Sequence, residues 1–477
     1  LRGKCRIIDD DINPLSLLPY FEKVYTKTSQ MGFEALLLGK VCICFGLPFY
    51  AGWGVTDDWV ACERRRRKLS VEEIFAAAYI RYSRYFDRYS QEESDIFGVI
   101  DTIAKYRERD KKVNAKVFLF GFSLWKHRFI KPFIRQYRSI YFINPLPGQS
   151  ALDLAIHRGL NTESRVFIWG KKKFGEVERY AKEKNIPIYR VEDGFIRSVG
   201  LGSDLTQPYS LVIDSRGIYF DPTRESDLEY LLNFHSFSDD EIVRAKKIRK
   251  QIIREKFSKY NSFEERELKV PKDKKIILVP GQVEDDASIQ YGAPGMTNLK
   301  LLQKARKRAP EAYILYKPHP DVLAGNRVGQ VGLDEAMAYC DRIIEGLSID
   351  SVLAVCDEVH TMTSLVGFEA ILRDIEVYTY GLPFYAGWGL SIDSRQCDRR
   401  KRALSADQLA AGVLLLYPRY IDPITEVLCE PELTLKGLKL IRNKRASSFF
   451  YRKQREWQNQ ISRKVQRLIG KLQKNSI

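Results

Sequence analysis

From Ala115 onward, short runs of β-branched, aromatic and aliphatic residues alternate with polar stretches whose apolar positions recur at helical spacing. The runs are KVFLF, SIYFIN, RVFIWG, IPIYRV, KKIILVP, AYILYK, EVHTMT and EVYTYG; helix-prone segments such as GEVERYAKEKN and TNLKLLQKARKRAP lie between them. Nearly continuous hydrophobicity over a few residues suits strands buried on both faces, and alternation with helices predicts parallel sheets with crossover connections. The charged, helix-prone stretch SDDEIVRAKKIRKQIIREKFSKY separates the runs into two groups. The pattern therefore predicts an α/β architecture of two Rossmann-like lobes, residues 115–265 and 266–432, with a central cleft. Ligands in such sheets bind beyond the C-terminal strand ends.

A second pattern spans the whole chain. The nonamer GLPFYAGWG at Gly46–Gly54 returns at Gly381–Gly389, an offset of 335 residues. At that offset YTKTSQMGFEA from Tyr25 matches HTMTSLVGFEA from His360, and ERRRRKLS from Glu63 matches DRRKRALS from Asp398. Cys5 and Cys62 match Cys340 and Cys397, while Arg84, Tyr85 and Asp87 match Arg419, Tyr420 and Asp422. So long a period signifies duplication of whole domains rather than solenoid stacking. In this register the complete copy begins near Ala115, and the other would begin about 220 residues before Leu1. The expectation is the C-terminal part of a longer protein: a remnant of the first copy over 1–90, a linker over 91–114, a complete second copy, and a tail over 433–477.

Composition narrows the classes. With 477 residues and 44% hydrophobic content the chain can build several cores, and no run of about 18 apolar residues marks a spanning helix. Eight scattered cysteines without CxxC pairs read as reduced thiols and point to the cytoplasm. The net charge of +17 suggests nucleic acid until it is located: residues 433–477 carry 13 Lys and Arg against Glu456 alone. Within that tail Ile461, Val465, Leu468 and Leu472 fall at helical spacing among Arg463, Lys464, Arg467 and Lys471. A basic amphipathic helix suits an anionic inner-membrane surface or a packed protein face, and a charge confined to a tail disfavours nucleic acid as partner.

Candidate chemistry gathers at the predicted strand ends. EDGFIRSVGLG puts Glu192 and Asp193 in a turn before Gly194, with Arg197 and Ser198 behind. GQVEDDAS puts Gln282, Glu284, Asp285, Asp286 and Ser288 in a loop of the other lobe. Paired carboxylates serve glycosyl transfer, one deprotonating the acceptor while the other stabilises or traps an oxocarbenium-like centre; acids at turns also cap helices or meet solvent. LYKPHPD sets Lys317, His319 and Pro320 where a cation and an imidazole can hold a phosphate. TMTSLVGFEA sets Thr363 and Ser364 at a helix start, an anion site or an ordinary N-cap, and Glu369 within reach of a ribose hydroxyl. No P-loop and no complete GxGxxG is present. Acid clusters such as those at Asp9–Asp11 and Glu284–Asp286 could bind Mg²⁺, but the cations above can neutralise one phosphate alone, so no metal is expected. In the nonamer, Pro383, Gly387 and Gly389 predict a rigid loop whose Tyr385 and Trp388 either line the cleft or, the favoured reading, pack.

EDG, KPHP and the Thr-Ser pair resemble motifs of bacterial GT-B sialyltransferases, which use CMP-activated sugars. The full set, EDGFIRSVGLG, GQVEDDAS, YKPHPD, TSLVGFEA and the doubled GLPFYAGWG, more closely resembles the retaining β-Kdo transferases of bacterial capsule assembly, the KpsC type. That resemblance covers nearly all of residues 1–430 and implies a GT-B-like fold in tandem modules, with the nonamer near the end of each. It further implies CMP-β-Kdo as donor, double displacement with retention, and a β-Kdo-terminated lysophospholipid acceptor for capsule assembly and export. By carry-over Asp286 is the nucleophile, with Asp285 the alternative, and Glu192 the acid/base. Asp193, Arg197, Ser198, Gln282 and Ser288 would hold the donor sugar, and Lys317, His319, Pro320, Thr363, Ser364 and Glu369 the CMP. The first copy keeps Thr28, Ser29 and Glu34 but has no acidic loop or HP motif, so it is expected to be inert. The competing expectation is a non-catalytic scaffold of the same fold docked at the membrane.

Overall fold

The computed structural model describes residues 5–198, 206–257, 267–323 and 327–447. Val199–Gly202 of the EDG motif and the predicted amphipathic segment of the tail lie outside them. The chain divides into two units, Leu1–Tyr106 and Arg107–Ile477. Among the described residues no helix is long and apolar enough to cross a membrane.

In the first unit β1 (Lys23–Thr26), β2 (Val41–Cys44) and β3 (Asp57–Asp58) form a parallel three-stranded sheet. Beside it in sequence, β4 (Tyr85–Asp87) and β5 (Glu92–Ser94) pair antiparallel as a sheet of their own. Phe33, Leu36, Cys42, Cys44, Tyr50 and Ile74 make its buried cluster.

The second unit holds two larger sheets. Strands β6 (Val113–Phe120), β7 (Tyr137–Ile143), β8 (Arg165–Trp169) and β9 (Ile188–Asp193) run parallel in the order β7-β6-β8-β9. The sheet then changes sense, because β10 (Ser210–Asp214) pairs antiparallel with β9. The other sheet is parallel throughout, in the order β13-β12-β11-β14-β15-β16: β11 (Ile276–Pro280), β12 (Tyr313–Lys317), β13 (Arg342–Ile343), β14 (Glu358–Thr361), β15 (Glu376–Thr379) and β16 (Ile392–Asp393). After it the chain returns. Strands β17 (Arg419–Ile421) and β18 (Leu428–Cys429) pair antiparallel beyond β10 and finish the first sheet at seven strands. Residues 419–429, which the sequence places in the second lobe, thus complete the first.

The predicted charged connector is the helix Asp239–Arg254, opened by a capping box between Ser238 and Glu241. Ala245, Ile248 and Ile252 bury one face, and Arg244 pairs with Glu430 at 3.1 Å and Glu432 at 3.0 Å. One hydrophobic cluster runs from Phe195, Val212 and Leu232 of the first lobe to Phe368, Tyr385 and Leu414 of the second, so the lobes of this unit share a core.

Candidate active site

Parallel strands bring their C-terminal ends to one edge of each sheet, and here the ends of β8, β9, β11 and β12 line a single cleft of about 800 Å³. On the first wall Glu192 and Asp193 are the last residues of β9 rather than part of a turn. Gly170, bonded through its N–H to Val191 O at 2.8 Å, lies alongside; a Cβ there would stand 3.0 Å from Glu192 Oε2. Lys126 lays its ammonium on the Trp169 ring, 3.0 Å from the centroid. Burial pushes the Lys126 amine down to about 8 against the upward pull of Glu192 and Asp193. Lys172 is likewise lowered by burial and raised by Glu192, and its Nζ donates to Gly121 O at 2.6 Å. Two lysines therefore share the electrostatic surroundings of Glu192.

Arg197 and Ser198 do not line the cleft. Arg197 is 1% exposed, and its Nε donates to Asp193 Oδ2 at 2.5 Å while Nη1 donates to Ser198 Oγ at 2.9 Å. After β9 the backbone continues in antiparallel pairing, with Gly194 N on Ser210 O at 2.9 Å and Tyr209 N on Arg197 O at 2.8 Å, which carries both side chains into the core. Arg197 thus engages Asp193, which itself lines the cleft.

On the second wall Gln282 is buried and braces Thr363, accepting from its N–H at 2.9 Å and donating Nε2 to its Oγ1 at 3.0 Å. Asp285 pairs with Arg327 at 3.1 Å. Asp286 is the N-cap of the helix Ala287–Gly292, accepting from Ser288 N at 2.9 Å, so it caps a helix and lines the cleft at once. Ser288 lies within 3.4 Å of Thr363 Oγ1 and also lines the cleft. Lys317 ends β12 with its amine lowered by burial, opposed by Glu345. His319 Nδ1 accepts from Asp321 N at 3.2 Å where the chain turns into the helix Pro320–Leu323. Ser364 caps the helix Leu365–Ile371 through Val366 N at 3.2 Å, and the buried Glu369 projects from that helix; Thr363, Ser364, Glu369, His319 and Pro320 all line the cleft. The cleft thus sets carboxylates on opposite walls, with a cation and helix starts beside one of them. Among the described residues no group of three His, Cys, Asp or Glu side chains is disposed to hold a metal ion.

The other cations of the cleft, Lys171, Lys172, Lys173, Lys256, Arg327 and Arg442, were not among the sequence-based candidates. For Lys171, Lys172 and Lys173 the signal was present in WGKKKFG, which follows β8 at a strand end as EDG follows β9. Lys171 bonds the buried Asp221 at 2.5 Å and stands 4.8 Å from the centre of the Tyr291 ring on the opposite wall.

The family described as "Capsule polysaccharide biosynthesis protein" matches residues 2–85 and 164–420. The chain belongs to it. Within this capsule biosynthesis family, two proteins named "Capsule polysaccharide modification protein LipA", from Neisseria meningitidis serogroups A and B, are 46% and 45% identical over 430 residues, 88% of this chain. The chain spans 60% of the length of those relatives. "Lipopolysaccharide-processing protein LpsZ" of Rhizobium meliloti is 37% identical over 69% of this chain and 75% of its own. Two solved structures of Thermosulfurimonas dismutans KpsC also align. The beta Kdo 2,7 transferase has a TM-score of 0.56 at 37% identity, covering 69% of this chain and 99% of that one. The beta Kdo 2,4 transferase has a TM-score of 0.59 at 31% identity, covering 68% and 98%. The family member described here has the α/β fold of those transferases, resembling GT-B glycosyltransferases.

Proposed function

We propose that this chain is a retaining glycosyltransferase that moves Kdo from CMP-β-Kdo onto a β-Kdo-terminated lysophospholipid for capsule polysaccharide. The observation that carries this reading is the pairing of Glu192 on one wall with Asp286 on the other, beside Lys317, His319 and Ser364, in one cleft; the likeness to transferases titled for Kdo supports the sugar. Asp286 attacks the anomeric carbon, the bond to CMP breaks with its electron pair going to the phosphate oxygen, and a glycosyl ester forms. Glu192 then takes the acceptor hydroxyl proton as that oxygen attacks the same carbon and releases Asp286. Glu192 serves as base rather than acid, because a phosphate leaving group needs no proton. Asp285, engaged by Arg327, is the alternative nucleophile. The nucleotide is held without metal, and the basic tail rests on an anionic inner-membrane surface near the capsule export machinery.

The test is incubation with CMP-Kdo generated in situ and a synthetic β-Kdo acceptor, followed by mass spectrometry and NMR. A β-linked single-Kdo product formed at an EDTA-insensitive rate is expected. An α-linked product overturns retention, and folded protein that binds CMP without transfer favours the scaffold. Sedimentation with anionic but not neutral vesicles checks the tail.

A further inference from the structure

The chemistry above assigns nothing to GLPFYAGWG, yet its second copy touches both short helices that flank the nucleotide side of the cleft. Leu382 N donates to Gly292 O at 2.8 Å, the far end of the helix that Asp286 caps. A Cβ on Gly381 would fall 2.8 Å from Ala293 Cβ, 2.8 Å from Met362 O and 2.9 Å from Gly292 O, so only glycine lets these backbones meet. Three residues after Leu382, the fully buried Tyr385 donates its hydroxyl to Ser364 O at 2.5 Å, the N-cap of the other helix.

Helices of 6 and 7 residues have little stability of their own, so tertiary ties set where they sit. The loop making those ties is itself stiff. Gly387, at φ +84°, donates its N–H to Asp393 Oδ2 at 2.7 Å, and Trp388 Nε1 bonds Phe384 O at 2.8 Å. Arg400 Nη1 holds Pro383 O at 2.5 Å and Ala386 O at 2.8 Å, with its Nε on the buried Glu229 at 3.0 Å.

We propose that the nonamer is a positioning element: a rigid spacer that fixes the helix carrying Asp286 against the helix start carrying Ser364, and so the distance between nucleophile and nucleotide. The proposal rests on the function proposed above. Tyr385→Phe removes one oxygen and frees Ser364; the expected result is about fivefold or greater weakening of CMP binding by calorimetry well below the unfolding temperature. Gly381→Ala wedges the Asp286 helix away; the expected result is a fall in kcat of about 10- to 100-fold with CMP affinity changed less than about twofold. Tyr50→Phe, the same change in the duplicated motif of the first unit, is the control, and should lower stability with CMP affinity and kcat unchanged. Tyr385→Phe alone decides the matter if Gly381→Ala does not fold. Wild-type protein that binds no CMP removes the function beneath the proposal. Wild-type protein that binds CMP, with Tyr385→Phe as neutral as Tyr50→Phe in affinity and kcat, overturns the spacer while leaving the function standing.

Discussion

The two copies of the duplicated segment build the same local object in different surroundings. Tyr50 donates to Ser29 O as Tyr385 does to Ser364 O, and Trp53 Nε1 reaches Phe49 O at 2.8 Å as Trp388 Nε1 reaches Phe384 O. Gly52 N meets Asp58 Oδ2 at 2.7 Å as Gly387 N meets Asp393, and Arg65 holds Pro48 O and Ala51 O as Arg400 holds Pro383 O and Ala386 O. What differs is cover. Phe49 is 39% exposed and Phe384 6%; Tyr25 is 64% exposed and its counterpart His360 fully buried. In the second copy Phe195 and Tyr219 of the first lobe lie 5.0 and 5.7 Å from the Phe384 ring, and β17–β18 extends a seven-stranded sheet, whereas β4–β5 stands as two strands. Short-range sequence thus dictates turns, caps and their hydrogen bonds, and burial comes from elements distant in the chain.

The strongest test of that contrast is catalytic. The acidic loops on the page line the cleft of the second unit, so Asp286→Ala should lower transfer about 10³-fold or more; activity within about tenfold of wild type would break the assignment. His360 comes next. Burial holds its imidazole down to about 4, with Arg308 and Lys275 adding to the effect and Glu376 opposing, while Glu358 and Tyr380 bond its nitrogens. The folded state keeps it neutral and the unfolded chain protonates it, so stability falls as pH drops from 6.5 toward 4. Urea titrations across that range should show His360→Gln losing less stability than wild type, by up to about 3 kcal/mol. A parallel pH dependence would place the acid sensitivity elsewhere. In Gly32→Ala and Gly367→Ala the new Cβ would stand 2.2 Å from the hydroxyl oxygen of Tyr50 and of Tyr385 respectively. Each should cost about 1–3 kcal/mol, and a cost at one site alone would show that the two motifs are not mechanically equivalent. Smallest is Trp388→Phe against Trp53→Phe: the buried member should cost about 1 kcal/mol more in denaturant unfolding, and equal costs would mean that cover adds little.

Much of the complete copy was legible because β6–β9, β11, β12, β14 and β15 are apolar runs bounded by charges and helices. The antiparallel flank was not. SLVID at β10 is five residues long, and β17 and β18 have three and two, too short to carry a period. The same change of sense misled the site, since a residue behind a parallel strand end faces the cleft, whereas Arg197 follows the chain into an antiparallel partner and turns inward. That Glu192, Asp286, Lys317 and Ser364 line the cleft was readable because each ends a strand or lies in the segment that follows one. Lys126 was not, because its place beside Glu192 depends on stacking against Trp169 in another segment.

The return of β17 and β18 to the first sheet also bears on how the protein is made. Until residues 419–421 emerge, β10 presents an open strand edge, and about 200 residues must be translated in between, on the order of 10–40 s at ribosomal speed. During that interval the nascent first lobe is a template for wrong partners, which makes the pairing of β17, only three residues long, the step that closes the sheet edge.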